Sequence, residues 1–298
     1  MKHISMDRRD FLKATAAATL AAGVAGSPRT GWAAELAAAP LKKGLQLGML
    51  PEKLSDADKF KLAKACGYEG IEASPMEDLD AAKKMGEAAR AAGIRIHSVL
   101  YGGWKAPFSD PDPAVIEKGL KGMENALRTA HAMQADAVLL VPVVVNDKAT
   151  TTQAFERSHQ HIPKLLPLAE ELKVVIAIEE VWNGFLLDNP REFARYVDEF
   201  KSPWVGAYFD VGNVLKYGPP EEWIRVLGKR IVKVHLKDFI KQGEKWVNLR
   251  EGNVNWPEVR KAFSEVGYTG FVTPELSGGD EKYLRDLSQR IDLIEAGK

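Results

Sequence analysis

Four apolar runs in the C-terminal half each end on a side chain able to bind a metal ion. Val174–Ile178 leads into Glu179 and Glu180, Val205–Phe209 into Asp210, Ile231–Val234 into His235, and Phe271–Pro274 into Glu275. If the runs are parallel strands of one barrel, their C-terminal ends meet at one rim, which is where such barrels place their active sites. Three carboxylates and an imidazole converging there make a site for a hard divalent cation. A single acid after a strand could be a cap or loop residue. Four in succession, with no comparable set at the opposite strand ends, point to chemistry.

The elements needed to position these groups are legible along the chain. Strand-like segments are Gly44–Leu50, Gly70–Ala73, Ile94–Leu100, Ala137–Val145, Val174–Glu180, Val205–Asp210, Ile231–Lys237 and Phe271–Leu276. They alternate with helix-like segments at Asp58–Ala65, Leu79–Ala92, Pro113–Ala135, Ala154–Leu172, Pro190–Phe200, Pro220–Leu227, Pro257–Val266 and Glu281–Ile294. Several of these open on Pro, and two stop at Gly67 and Gly93, in keeping with helix start and stop chemistry. Eight βα units in about 250 residues predict an α/β fold, a single (β/α)8 barrel, with no linker or second domain.

The leader is read separately. Arg8-Arg9-Asp10-Phe11-Leu12-Lys13 is a twin-arginine sequence, followed by an Ala-rich apolar stretch from Ala14 to Gly26 and small residues between Gly31 and Ala39. This reads as a signal peptide over residues 1–39 preceding a catalytic domain at 40–298, with the twin-arginine export machinery as partner and a periplasmic or otherwise exported product. The apolar stretch is too short to span a bilayer, and no cysteine stands near the cleavage region, so no stable membrane anchor is expected. Lys plus Arg and Asp plus Glu balance at 41 each. That balance gives no basic footprint for nucleic acid. The single cysteine, Cys66, cannot form an internal disulfide and closes a predicted helix as a buried thiol. Association into oligomers is compatible with all of this.

The strand ends resemble those of a known family. Ile178-Glu179-Glu180-Val181-Trp182-Asn183, Phe209-Asp210-Val211-Gly212-Asn213, Val234-His235-Leu236-Lys237-Asp238-Phe239, Gly252-Asn253-Val254-Asn255-Trp256 and Pro274-Glu275 are similar to motifs of the sugar phosphate isomerase/epimerase family, the xylose isomerase-like TIM barrels. That superfamily includes ketose 3-epimerases, hydroxypyruvate isomerases and endonuclease IV. The resemblance implies that Glu180, Asp210, His235 and Glu275 are metal ligands and that Glu180 and Glu275 also form the acid/base pair. The implied ion is Mn2+, Mg2+ or Co2+, with Zn2+ admitted by the histidine. The implied reaction is proton transfer next to a carbonyl through a metal-stabilised enediolate.

Glu179 and Glu180 point to opposite faces of their strand, so one faces the barrel axis. Barrel interiors favour bulky branched residues, and Glu180 shares a face with Ile178 and Ile176 whereas Glu179 shares one with Ala177 and Val175. That preference selects Glu180. The same parity places Lys237 on the face of His235, and Lys233 inward near the barrel bottom, where it needs a carboxylate partner. Substrate contacts are expected from His97 and Glu72 at the ends of strands three and two, from Lys237, from Asn213, and from Trp104 and Trp182, since sugar rings pack on aromatic faces.

Where ketose 3-epimerases and endonuclease IV tend to carry a histidine three residues after the strand-six Asp, this chain has Asn213. That departure counts against a standard ketose 3-epimerase, and, with the further histidine ligands of endonuclease IV and a basic surface also missing, against DNA repair. Phosphorylated sugars are scarce outside the cytoplasm, so the expected substrate is an unphosphorylated sugar, keto-sugar or cyclitol. Three activities fit: an isomerase or epimerase, a metal-dependent lyase or hydrolase of oxidised (keto) glycosides, and a catalytically silent carbohydrate-binding barrel.

Overall fold

The computed structural model describes residues 40–144, 148–181 and 189–298. Eight parallel strands close into a barrel: β1 Lys42–Gln46, β2 Gly70–Ala73, β3 Arg95–Gly102, β4 Ala137–Leu140, β5 Val175–Glu179, β6 Val205–Asp210, β7 Ile231–Leu236 and β10 Phe271–Pro274. Each pairs with its neighbours in chain order, and β10 closes the ring on β1. Helices follow the strands and cover the barrel from outside. Those at Asp56–Ala65, Leu79–Ala91, Pro113–Met133 and Glu281–Glu295 are capped by Ser55, Asp78, Asp112 and Asp280, whose side chains accept first-turn N–H groups. Gly67 and Gly93 take positive φ after the first two, as the stop signals require.

Two strands and one helix differ from the expected extent, and one hairpin was not expected; β4 ends at Leu140 rather than Val145. β1 stops at Gln46 because Leu47–Met49 turns into a 3-10 helix. The predicted helix at 154–172 is broken into Thr151–His161, a 3-10 turn at Ile162–Leu165, and Leu166–Leu172. Pro163 and Pro167, which lack an N–H, open the second and third pieces. A hairpin absent from the sequence reading, β8 Asp238–Ile240 with β9 Lys245–Val247, rises after β7. Its three-residue strands are too short to show a period.

The barrel interior is unusually polar. Tyr208 and His235 point inward to reach Glu72 from β2, and His97 stacks on Phe271 with ring centroids 4.1 Å apart. These large groups leave room for little else: a Cβ on Gly44 would come within 2.8 Å of His97 Nε2, and one on Gly70 within 2.6 Å of its Cδ2. Lys233 does face inward near the bottom, and its carboxylate partner is Asp136 at 2.6 Å.

Candidate metal centre

Glu179, Asp210, His235 and Glu275 each offer one ligand atom, and those atoms lie within 4.8 Å of one another. They stand at or just beyond the C-terminal ends of β5, β6, β7 and β10, which are consecutive around the barrel. The two outer members, Glu179 and Glu275, therefore flank His235 and Asp210. His235 Nδ1 is 2.9 Å from Glu179 Oε1 and 3.1 Å from Glu275 Oε2. Its other nitrogen, Nε2, is 3.1 Å from Glu72 Oε2 beneath the cluster. Tyr208 donates to the second oxygen of Glu72. A buried carboxylate holding the far side of an imidazole fixes its ring orientation, so Nδ1 is the nitrogen offered to the cluster.

The expectation that Glu180 faces the axis is overturned. Glu179 pairs in register with Tyr208, whose hydroxyl reaches the interior, and residues opposite each other across strands share a face. Glu180 points away. It is fully buried, and its Oε1 accepts the Asp210 N–H at 2.7 Å. The branched-residue rule misleads because Tyr208, His97, Phe271 and Glu72 already occupy the interior, and the small Ala177 is what fits beside them. Ile176 and Ile178 pack outward toward the helices.

Asp210 is both cap and cluster member. Its Oδ1 accepts the N–H groups of Gly212 and Asn213 at 2.8 and 2.9 Å, while Oδ2 faces Lys237 Nζ at 3.1 Å. Lys237 also lies 2.8 Å from Glu275 Oε2 and 3.4 Å from Asn213 Oδ1. Asn213 in turn donates to the Glu180 carbonyl at 3.0 Å, so it braces the turn as well as lining the site. Asp238, next to Lys237 in the chain, is committed elsewhere. It accepts four bonds, from the N–H groups of Phe239, Arg250 and Val254 and from Trp256 Nε1.

The remaining substrate candidates divide. Trp104 is 53% exposed and borders the cavity above the cluster. His97 and Glu72 do not reach that rim: both are buried within the barrel. His97 is only the third residue of the eight-residue β3, which runs on to Gly102. Trp182 lies outside the described residues. The central cavity, about 330 Å³, is lined by Gln46, Trp104, Asn213 and Lys237 together with Glu179, His235 and Glu275. Sequence reasoning missed Gln46, because a neutral amide at a strand end carries no distinctive signal.

The electrostatics suit a cation. Burial, reinforced by Glu275 and opposed by the His235 hydrogen bond, pushes the Glu179 carboxyl up to about 7. Burial likewise raises Asp210 against the pull of Lys237. Glu275 is held below the usual range, since His235 and Lys237 outweigh its burial. His235 is raised despite burial because Glu72 and Glu275 favour its charged form. Two ionised carboxylates at 4.8 Å repel by about 3–4 kcal/mol at an effective dielectric of 20. An added divalent charge relieves that repulsion, and oxygen donors with one imidazole suit a divalent metal.

Residues 60–294 match the xylose isomerase-like TIM barrel family, and the chain belongs to it. Residues 5–25 match the twin-arginine translocation signal, which marks the chain for export across the membrane to the periplasm or exterior. Among the described residues no helix is long and apolar enough to cross a membrane. The chain is 27% identical over 253 residues to the Escherichia coli (strain K12) protein named "Putative L-ribulose-5-phosphate 3-epimerase SgbU", covering 78% of this chain and 88% of that one. The fold is shared with the 3-keto-D-glucoside 4-epimerase YcjR of E. coli (TM-score 0.73, 15% identity, 85% of this chain and 99% of that chain). It is also shared with the IolI protein carrying a bound zinc atom (TM-score 0.71, 18% identity, 85% and 96%).

Proposed function

We propose that the chain is a divalent-metal-dependent epimerase or isomerase of an unphosphorylated keto-sugar, with residues 1–39 as its export signal and 40–298 as the working barrel. The observation that carries this reading is the convergence of Glu179, Asp210, His235 and Glu275 at the catalytic rim of a barrel from a sugar isomerase family. These four residues would hold the ion, which when bound supplies Lewis-acid polarisation of a sugar carbonyl. Glu179 and Glu275 stand at opposite ends of the four-strand arc. That placement suits one carboxylate removing a proton from the carbon beside the carbonyl and the other returning a proton to the opposite face. Such groups contribute typically ~10²–10⁴-fold each.

Asp210 is tied to two backbone N–H groups and His235 to Glu72, so both serve as fixed points rather than proton carriers. Lys237 neutralises Asp210 and Glu275, and with Asn213 and Gln46 it offers polar contacts to sugar hydroxyls. That engagement, together with export, supports an unphosphorylated substrate over a sugar phosphate. The name of the structurally similar 3-keto-D-glucoside 4-epimerase supports a keto-sugar.

The test is proton exchange. Metal-loaded protein incubated with free and glycosidic keto-sugars in deuterated water should place deuterium on a carbon adjacent to the carbonyl and yield an epimer or isomer, read by NMR. Release of a leaving group in place of an epimer would convert the assignment to a lyase, and absence of exchange from every sugar would overturn it.

A further inference from the structure

The metal centre does not sit in a closed pocket of its own. Gln46, Asn213, Lys237 and Glu275 line the central cavity and also a second, larger one of about 790 Å³ on the side of the β8–β9 hairpin. The two spaces therefore meet across Lys237 and Glu275. At about 330 Å³ the central cavity lies at the lower end of the range for ligand sites, a size for one sugar ring. The hairpin-side cavity is more than twice as large, and Glu275 is the one member of the four-residue cluster that lines it.

Its wall is built for a sugar. Trp246, from β9, is 41% exposed. Its ring is 5.5 Å from Lys237 Nζ and lies against Phe239 with centroids 4.9 Å apart. Asn248, Ser277 and Tyr283 add hydrogen-bonding groups around it. The exposed part of the indole, with Lys237 Nζ over its ring and amide and hydroxyl groups around it, matches a pyranose, which presents an apolar C–H face and a polar edge. An isolated two-stranded hairpin is marginally stable at best. Here the carboxylate of Asp238, at the base of β8, accepts bonds from Phe239, Arg250, Val254 and Trp256 and pins both the hairpin and the return loop. The platform is therefore held in place before any ligand arrives.

We infer that the β8–β9 hairpin forms a second sugar subsite and that the substrate is a keto-sugar joined to another sugar ring by a glycosidic bond. The reacting ring occupies the central cavity and the second ring packs on Trp246. This rests on the reading of the metal centre as a keto-sugar site and names the class of sugar it takes.

The experiment pairs free ketohexoses (D-fructose, D-tagatose, D-psicose) with ketose disaccharides (turanose, isomaltulose, lactulose, leucrose) on the metal-loaded protein. Dissociation constants are measured by ligand-observed NMR, and deuterium exchange is followed in the same samples. At least one disaccharide should bind about tenfold or more tightly than the best free ketohexose. In Trp246→Ala the ratio of the two constants should fall to within about twofold of unity, and Trp246→Phe should recover part of it. A ratio near unity in the parent protein, or a ratio that survives in Trp246→Ala, would overturn the subsite. Exchange into the free ketohexoses with no disaccharide advantage would sink the subsite and leave the epimerase assignment standing. A disaccharide advantage with no exchange in either class would support the subsite and sink the epimerase.

Discussion

The two ends of the barrel interior handle charge in opposite ways. At the N-terminal end the buried Lys233 meets Asp136 at 2.6 Å and lies 5.5 Å from the Phe271 ring, and Arg95 approaches the same carboxylate at 2.6 Å. Cations match or exceed carboxylates there, and Asp136 reaches solvent. At the C-terminal end, among the described residues, Glu72, Glu179, Asp210 and Glu275 gather around His235 and Lys237, with His97 3.8 Å from Glu72 and disfavoured from carrying charge by its burial, and Glu180 buried behind them. The bottom is complete as it stands, whereas the top is short of positive charge. A buried excess of carboxylates is unfavourable unless neutralised by protons or a metal. The contrast locates the function at one end of a nearly symmetric frame.

That contrast can be broken by substitution, beginning where the effect should be greatest. Glu179→Gln and Glu275→Gln keep size and one ligating oxygen but lose charge and basicity, so each should lower turnover at saturating metal by about 10²-fold or more. Steady-state rates across a metal titration check this, and near-parent turnover in either variant would remove that residue's acid/base role. Glu72→Ala should weaken metal binding by roughly 10–100-fold, because it releases the far nitrogen of His235 without removing a ligand. Isothermal titration of the apoprotein measures that loss, and unchanged affinity would show that the Glu72–His235 bond positions nothing.

The other end should respond differently. Lys233→Met replaces one side of a buried ion pair by an apolar side chain of similar length and leaves Asp136 partly solvated with Arg95, so stability should change by only about 1 kcal/mol. Metal affinity should not change. A metal defect in this variant, measured by the same titration, would show that the two ends are coupled. The smallest effect belongs to Glu180→Gln. Burial and the nearby Asp210 raise the Glu180 carboxyl above its usual range, and its one contact in the cluster's frame, accepting the Asp210 N–H, can equally be made by an amide oxygen. Turnover within about threefold of the parent is expected.

The barrel was legible because parallel strands buried on both faces read as continuous apolar runs, and six of the eight strands both begin and end within two residues of their predicted bounds. The same continuity concealed the register. Val174-Val175-Ile176-Ala177-Ile178 carries no polar alternation to separate inside from outside, so the choice between Glu179 and Glu180 fell to a volume preference that this polar interior does not obey. Asp210, His235 and Glu275 were legible because each ends a run and has an apolar residue on either side in the chain. Glu72 and His97 were legible as chemistry-bearing residues but not as buried ones. Their depth depends on β3 extending to Gly102 and on the inward reach of Tyr208, neither of which leaves a local pattern. Trp246 and the Asp238 clamp depend on contacts between a three-residue strand and a loop up to 18 positions away.

The central claim is that Glu179, and not its neighbour, completes the metal centre. The most direct test is divalent-metal titration of Glu179→Ala beside Glu180→Ala, with circular dichroism confirming that each remains folded and Mn2+ and Zn2+ used in turn. Glu179→Ala should lose at least about tenfold in affinity, while Glu180→Ala, which removes only an acceptor for the Asp210 N–H, should bind one ion with near-parent affinity. Normal binding by Glu179→Ala together with loss in Glu180→Ala would contradict the account.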